Sequence, residues 1–165
     1  MFNSIKTDLL GLYPLANNVI IINMRFLDEL KKLSLPEKQY AIFGSGPMAV
    51  RGIRDVNDID IVVKEDLWND LRARFSESIY KTDSIKTGNI EIFKSWSPWF
   101  DDVNGLIDTA EKIGDFWYVH LSNVLKWKKL MNREKDKIDI KLIEDYLMVN
   151  NITFDSDNLA IKDSG

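Results

Sequence analysis

The stretch FGSGPMAVRGIRDVNDIDIVV, which runs from Phe43 to Val63, places two aspartates at the start of an apolar strand. Asp58 and Asp60 are separated by one residue, and alternate side chains of a strand point to the same face, so both carboxylates are expected on one side of a sheet. Charges beside a buried strand cost several kcal/mol unless a cation or hydrogen bonds compensate them. The pattern therefore predicts a compensating partner in front of the sheet.

Length and composition set the frame for this site. The chain has 165 residues, 45% of them hydrophobic, which is enough for one ordinary core. We expect a single domain over 1–152, with a helical C-terminal part over about 122–148 and a flexible polar tail over 153–165. The absence of cysteine excludes disulfides, thiolate metal sites and thiol nucleophiles. The apolar run at 19–22 is far shorter than the roughly 20 residues of a membrane-spanning helix, so we expect a soluble, cytoplasmic protein with no membrane partner.

The charge of the chain is unevenly distributed. A formal net charge of −4 argues against a protein whose whole surface binds nucleic acid. The segment KWKKLMNREKDK, from Lys126 to Lys137, is nevertheless locally basic. Either a solvated helix face or an anion-binding surface accounts for this segment on charge alone.

Hydrophobic periodicity and turn residues predict helices alternating with strands. The segment SIKTGN is expected to join two strands in a hairpin-like connection, because its Thr-Gly-Asn is typical of turns, and Ser122 is expected to cap a helix. The predicted helices cover 16–33, 47–51, 66–76, 101–112, 124–131 and 135–148, and the predicted strands cover 40–43, 59–63, 79–82, 90–93 and 116–121.

Two motifs compete for the glycines after the first of these strands. The run from Gly44 to Ala49 fits the dinucleotide fingerprint G-x-G-x-x-A, and Glu65 follows Gly44 at a suitable distance. That fingerprint requires a full crossover helix in a βαβ unit, whereas the helix predicted here has fewer than two turns. It also leaves Asp58 and Asp60 unexplained, so we favour the second motif.

The second motif is Gly44-Ser45, twelve further residues, and then Asp58-Ile-Asp60-Ile. It resembles the signature of the nucleotidyltransferase superfamily, which has the DNA polymerase β-like fold. The longer stretch resembles the bacterial subgroup around abortive-infection toxin nucleotidyltransferases, approximately G-G-x-A-x-x-x-x-G-x-x-R-x-T-x-D-I-D-h-h-h. Arg54 occupies the arginine position of this pattern with one residue fewer before it. The resemblance implies an α/β (α+β) fold with a small mixed sheet flanked by helices, followed by C-terminal helices.

The spacing of the motif also has a direct chemical interpretation. Two carboxylates directed to one point suit Mg²⁺ or Mn²⁺, because such hard cations prefer oxygen ligands and often bind one or two carboxylates together with substrate phosphates. The turn Gly44-Ser45-Gly46 and the helix that Pro47 opens are expected to present backbone N–H groups to the phosphates of a nucleotide. Arg54 is expected to contribute to the same nucleotide-binding site.

The resemblance further implies a third carboxylate on a neighbouring strand, which binds the catalytic metal and accepts the proton of the acceptor hydroxyl. Glu91 is the candidate, because it is the only acid in the apolar strand at 90–93. Most members of the superfamily carry Asp there, and a solvent-facing residue of an alternating strand is the other interpretation of Glu91. Asp101 and Asp102 are the alternative candidates.

The C-terminal segment from Ser122 to Leu147 resembles a second pattern of these proteins, near L-x-x-x-K-x-x-x-x-R-x-K-D-x-x-D-I-x-x-L. Lys128 and Arg133 match its basic positions and are expected to approach the triphosphate. Asp136 and Asp139 match its acidic positions and are expected to pair with basic neighbours, so a purely structural ion-pair corner is an equal alternative.

The single histidine, His120, rules out a multi-histidine zinc site and favours a structural or surface imidazole. The five tryptophans are expected in the core, although Trp96 and Trp99 follow the candidate catalytic strand and are candidates for the wall of a pocket.

The resemblance implies a metal-dependent nucleotidyltransferase that moves a nucleoside monophosphate from an NTP to a hydroxyl acceptor and releases pyrophosphate. The acceptor candidates are a small molecule, a tRNA end and a side chain of a partner protein. The alternatives are a nucleotide-binding or partner-binding module without turnover, and a toxin-antitoxin component that acts mainly by protein association.

Overall fold

A mixed sheet of seven strands forms the centre of the protein in a computed structural model. The structure describes the backbone of residues 13–14, 20–21, 24–81, 83–154 and 161–162, and the side chains of residues 24–78 and 83–154. The sheet has the order β5-β6-β7-β4-β3-β9-β8. Its β4–β7 and β3–β9 pairs are parallel and its other pairs are antiparallel. The seven strands are β3 (Tyr40–Ile42), β4 (Ile59–Val63), β5 (Ile79–Lys81), β6 (Ser84–Thr87), β7 (Ile90–Phe93), β8 (Glu111–Ile113) and β9 (Phe116–Tyr118).

Helices cover both faces of this sheet. They are α1 (Leu27–Lys32), α2 (Gly46–Ala49), α3 (Glu65–Arg74), α4 (Val103–Asp108), α5 (Leu121–Met131) and α6 (Glu134–Val149). One core cluster joins apolar residues of α1 and α3 to one face, and a second cluster joins α4, α5 and α6 to the other. Along β4, Ile59 and Ile61 belong to the first cluster and Val62 to the second. Because side chains alternate, Asp58 and Asp60 lie on the face that α5 and α6 cover.

Several predicted elements are confirmed with shifts of one or two residues. These are β4, β7, α3 and α6, and the short helix after the glycine turn.

The two core-forming strands β3 and β4 are antiparallel neighbours. This pairing contradicts the dinucleotide interpretation, which requires parallel strands joined by a crossover helix.

The predicted helix over 16–33 is wrong in its N-terminal part. The short strand β2 (Ile20–Ile21) pairs with β1 (Tyr13–Pro14), and α1 begins at Leu27 after Phe26, whose φ of 68° is left-handed. Residues 15–19 and 22–23 lie outside the described residues.

Two further predictions are only partly correct, because each predicted segment contains a short strand with few apolar residues. Within SIKTGN, the predicted turn is present at Gly88-Asn89, between β6 and its antiparallel partner β7, but Ser84–Thr87 forms β6 and its Ile85 is fully buried. The predicted helix over 101–112 ends at Asp108, and Glu111–Ile113 forms β8, an antiparallel partner of β9. The predicted extended segment ends at Tyr118, because α5 begins at Leu121 with His120, rather than Ser122, as its cap residue.

Beyond α6, β10 (Thr153–Phe154) pairs with β11 (Ile161–Lys162), and the rest of the predicted flexible tail lies outside the described residues. Within the described part of the chain, no helix combines the length and the apolar character needed to cross a bilayer.

Candidate functional site

Three carboxylates meet at the end of the β4–β7 pair. Asp60 and Glu91 are register partners on these parallel strands, and Asp58 directly precedes β4 on the same face as Asp60. One oxygen of each side chain lies within 4.8 Å of the others, and all three residues are half-buried. The structure therefore brings Glu91 together with the two aspartates of the motif, on the same side of the sheet.

The electrostatics of this triad favour a bound cation. Burial, followed by the neighbouring charges of Asp58 and Glu91, raises the pKa of Asp60 to about 7. The cationic side chains of Lys86 and Lys128 act in the opposite direction but do not cancel the effect. Three convergent carboxylates repel one another, and a divalent cation with a preference for oxygen ligands would relieve this repulsion. The donor set therefore fits Mg²⁺ or Mn²⁺.

The glycine turn places Ser45 beside the triad. The backbone N–H of Phe43 donates to the carbonyl of Asp60, which fixes the turn against β4. Gly44 has a φ of +56°, and a Cβ at this position would overlap Oδ2 of Asp60, so both conformation and space require glycine.

Gly46 packs on the opposite side of the turn. Its N–H donates to the carbonyl of Phe43, and a Cβ there would collide with Cγ2 of Ile42. The expected donation of this N–H to phosphate is therefore not available in the structure, because the group is already hydrogen-bonded. Ser45 is the member of the turn that lines the adjoining cavity.

Two cations converge on the Ser45 hydroxyl from α5 and from the segment before β4. The Arg54 guanidinium donates to Oγ of Ser45 at 2.8 Å, and Nζ of Lys128 lies 3.4 Å from the same atom. Asp139 of α6 holds both cations, at 2.7 Å from Nζ of Lys128 and 3.2 Å from Nε of Arg54. Burial lowers the pKa of Lys128, although the hydrogen bond from its ammonium to Asp139 opposes this effect. The arrangement forms a positively charged corner, composed of Ser45, Arg54, Lys128 and Asp139.

Arg133 lies at the α5–α6 corner and lines the same cavity. Its guanidinium donates to Asp136 through two nitrogens, at 2.6 and 3.0 Å, and its backbone N–H donates to the same carboxylate. Burial alone would raise the pKa of Asp136, but these hydrogen bonds from Arg133 lower it. The structural ion pair that the sequence analysis gave as one alternative is therefore present, between Arg133 and Asp136. Arg133 nevertheless also lines the cavity.

A cavity of about 640 Å³ joins the triad to the positively charged corner. This volume lies in the range of small-molecule binding sites. The three carboxylates of the triad form an acidic floor, and the positively charged corner forms one side. Trp96, Trp99 and Trp127 form an aromatic wall. The cavity-lining side chains that the sequence analysis did not single out are Val56, Asn57, Asp83, Phe93, Ser95, Ser97, Trp127 and Lys135.

The remaining candidates lie away from this cavity. Asp102 caps α4 by accepting from the N–H of Gly105 at 2.8 Å, and with Asp101 it lines a separate surface depression. His120 occupies the N-cap position of α5 without a capping hydrogen bond from its side chain, and its Nδ1 is 3.7 Å from Glu111. These positions leave Glu91 as the third acid of the candidate site among the three alternatives.

Asp83 could not be found from the sequence, because it precedes the strand β6 that was predicted to be a turn. Trp127 could have been found, since it directly precedes Lys128 in the basic segment.

Comparison with known proteins gives no match to a family model, to a curated protein or to a solved structure.

Proposed function

We propose that the protein is a metal-dependent nucleotidyltransferase, which transfers a nucleoside monophosphate from an NTP to a hydroxyl acceptor and releases pyrophosphate. The observation that carries this proposal is the placement of three convergent carboxylates and a positively charged corner around one cavity. The proposal includes the nucleotidyltransferase fold, since the Gly-Ser turn between β3 and β4 and the acids on β4 and β7 occur in the order that the sequence resemblance implies. It also includes a cytoplasmic location, where NTPs are available.

Each group of side chains has a role in this proposal. Asp58, Asp60 and Glu91 would hold Mg²⁺ or Mn²⁺, which supplies charge neutralisation at the reacting phosphate. Ser45, Arg54 and Lys128 would hold the β- and γ-phosphates by charge-assisted hydrogen bonds. Ser45 already accepts from both cations, so its own O–H is the group that can donate to a phosphate oxygen.

The proposed transfer needs no reactant other than the NTP and the acceptor. The acceptor oxygen forms a bond to the α-phosphorus, the bond from that phosphorus to the bridging oxygen of pyrophosphate breaks, and Glu91 takes the proton of the acceptor hydroxyl. Arg133 is tied to Asp136, so we assign it a supporting contact at the cavity edge. The acceptor would be a hydroxyl of a small molecule, of a tRNA end or of a partner protein.

The test is incubation of the protein with each α-³²P-labelled NTP, Mg²⁺ or Mn²⁺, and separate small-molecule, RNA and protein fractions of a cell extract. The proposal predicts labelled product in one fraction, equal release of pyrophosphate, and loss of both with Asp58→Asn and Asp60→Asn. Metal-dependent NTP binding without labelled product in any fraction would instead identify a binding module without turnover.

A further inference from the structure

One wall of the candidate cavity is aromatic, and the described catalytic and phosphate-holding groups do not use it. Trp127 of α5 packs at a ring-centroid distance of 5.2 Å on Trp96 and 6.4 Å on Trp99. All three side chains line the cavity, but Trp96 and Trp127 are buried, whereas Trp99 is half-buried. Trp99 therefore has an edge-to-face contact with Trp127, and part of its surface remains open to a ligand.

The aromatic wall begins where the positively charged corner ends. Nζ of Lys128 lies 4.9 Å from the ring centroid of Trp127 and 3.4 Å from Oγ of Ser45. A flat apolar surface therefore adjoins an anion-binding corner within one cavity. A nucleotide has the matching composition, with a planar aromatic base at one end and phosphates at the other.

We infer that Trp99, supported by Trp127, stacks on the base of the bound NTP. This inference rests on the proposed function and deepens it, because it assigns the base to the aromatic wall. Every base has a π face, so stacking on an aromatic side chain is tolerant of base identity. Replacement of Trp99 should therefore weaken the binding of ATP, GTP, CTP and UTP alike.

The experiment is calorimetric titration of the full chain with each of the four Mg²⁺–NTP complexes and with Mg²⁺–tripolyphosphate, which has phosphates but no base. The variants are Trp99→Leu, which keeps apolar bulk without an aromatic ring, and Trp99→Phe, which keeps an aromatic ring. Trp117→Leu is the matched control, since Trp117 is also half-buried but lies on β9, outside the cavity. A second readout is the quenching of tryptophan fluorescence when ATP binds.

Trp99→Leu should bind all four NTPs about 5- to 150-fold more weakly, the range that alanine substitution of base-stacking aromatics produces. It should bind tripolyphosphate as the wild type does, and Trp117→Leu should not change either affinity. Trp99→Phe should keep most of the NTP affinity and lose much of the ATP-dependent quenching. The quenching result applies even when Trp99→Leu fails to fold.

Three outcomes would overturn the inference. Equal weakening of NTP and tripolyphosphate binding would assign Trp99 to the phosphate corner, and unchanged NTP affinity with slower transfer would assign it to the acceptor. Full ATP-dependent quenching in Trp99→Phe would place the base elsewhere. In each case wild-type NTP binding, and with it the proposed function, would stand. A wild type that binds tripolyphosphate but no NTP would overturn both.

Discussion

The ammonium nitrogen of Lys128 lies 2.7 Å from a carboxylate oxygen of Asp139, and the two side chains are only 3% and 6% exposed. The other oxygen of Asp139 binds Arg54, so one acid on α6 orients both cations that reach Ser45. Loss of Asp139 from this arrangement is costly, because the charge of Lys128 then remains in the interior without an acidic partner. The pair therefore links the stability of the fold to the geometry of the candidate phosphate site.

Variants of Lys128 and Asp139 should distinguish the contribution of this pair to folding stability from its contribution to NTP binding. We expect Asp139→Asn to destabilise the protein by about 3–5 kcal/mol in urea unfolding, because it leaves the buried charge of Lys128 without an acidic partner. Lys128→Met should destabilise it less, because Asp139 keeps its ion pair with Arg54. The double variant Lys128→Met, Asp139→Leu should recover most of that stability, because apolar pairs of similar volume often replace buried ion pairs without loss. It should not recover NTP affinity. A stable double variant with wild-type NTP affinity would contradict the phosphate-binding role of Lys128.

The repulsion within the acidic triad predicts an unusual effect on stability. Asp60→Asn removes a carboxylate that burial and two neighbouring acids destabilise, so the metal-free melting temperature should be unchanged or higher. Mg²⁺ with NTP should raise the melting temperature of the wild type by mass action and leave that of Asp60→Asn nearly unchanged. Asp70→Asn, at an exposed position of α3, should behave as the wild type in both measurements. A lower metal-free melting temperature together with a retained ligand shift would assign Asp60 to the fold.

The raised pKa of Asp60 predicts two opposite pH dependences. An aspartate of the unfolded chain loses its proton near pH 4, whereas Asp60 in the folded protein keeps its proton up to about pH 7. The metal-free protein should therefore lose stability as pH rises from about 4 to about 7 and level off above that window. Metal affinity should rise over the upper part of the same window, because binding requires the carboxylate.

Denaturant unfolding and Mn²⁺ binding, each measured from pH 4 to 8, test these two dependences. The comparison with Asp60→Asn isolates the contribution of this residue, since the other titrating groups are common to both proteins. Identical pH slopes in the two proteins would show that Asp60 has an ordinary pKa.

The glycine turn offers a test with a natural control. Gly44 and Gly88 both have a φ of +56°, and at each position an added Cβ would overlap a carboxylate, that of Asp60 for Gly44 and that of Glu29 for Gly88. Alanine at either position should cost about 1–2 kcal/mol of stability from its left-handed backbone. Gly44→Ala should also weaken Mn²⁺ binding, because Asp60 must move, whereas Gly88→Ala should leave it unchanged. Equal effects of the two variants on Mn²⁺ binding would show that the glycine turn does not control the position of Asp60.

The central part of the structure could be predicted because local sequence and packing agree there. Asp58 and Asp60 precede and enter a strand whose other residues are buried, so period-2 alternation was enough to place both on one face. Glu91 was predicted because the resemblance implies a third carboxylate on a neighbouring strand, and Glu91 is the only acid in the strand at 90–93. Lys128 and Asp139 were identified by the resemblance of the C-terminal segment to the second pattern, but their shared contact with Arg54 depends on tertiary packing.

The edges of the sheet could not be predicted, because their strands have little hydrophobic pattern of their own. β8 consists of Glu111, Lys112 and Ile113, and its pairing with β9 rather than its composition makes it a strand. β6 was obscured by a sequence typical of turns, and its single fully buried apolar residue, Ile85, gave too weak a signal. Asp83 and the aromatic wall depend on these segments and on the loop after β7, so the cavity was only partly foreseen.

Parallel reactions with α-³²P- and γ-³²P-labelled NTP test the central claim most directly. Each reaction contains Mg²⁺ and the acceptor fraction of a cell extract, and is run with wild type, Asp58→Asn and Asp70→Asn. Nucleotidyl transfer predicts that wild type and Asp70→Asn place the α label on the acceptor and the γ label in pyrophosphate, and that Asp58→Asn does neither. Transfer of the γ label to the acceptor, or transfer of the α label that persists in Asp58→Asn, would contradict the assignment of this site.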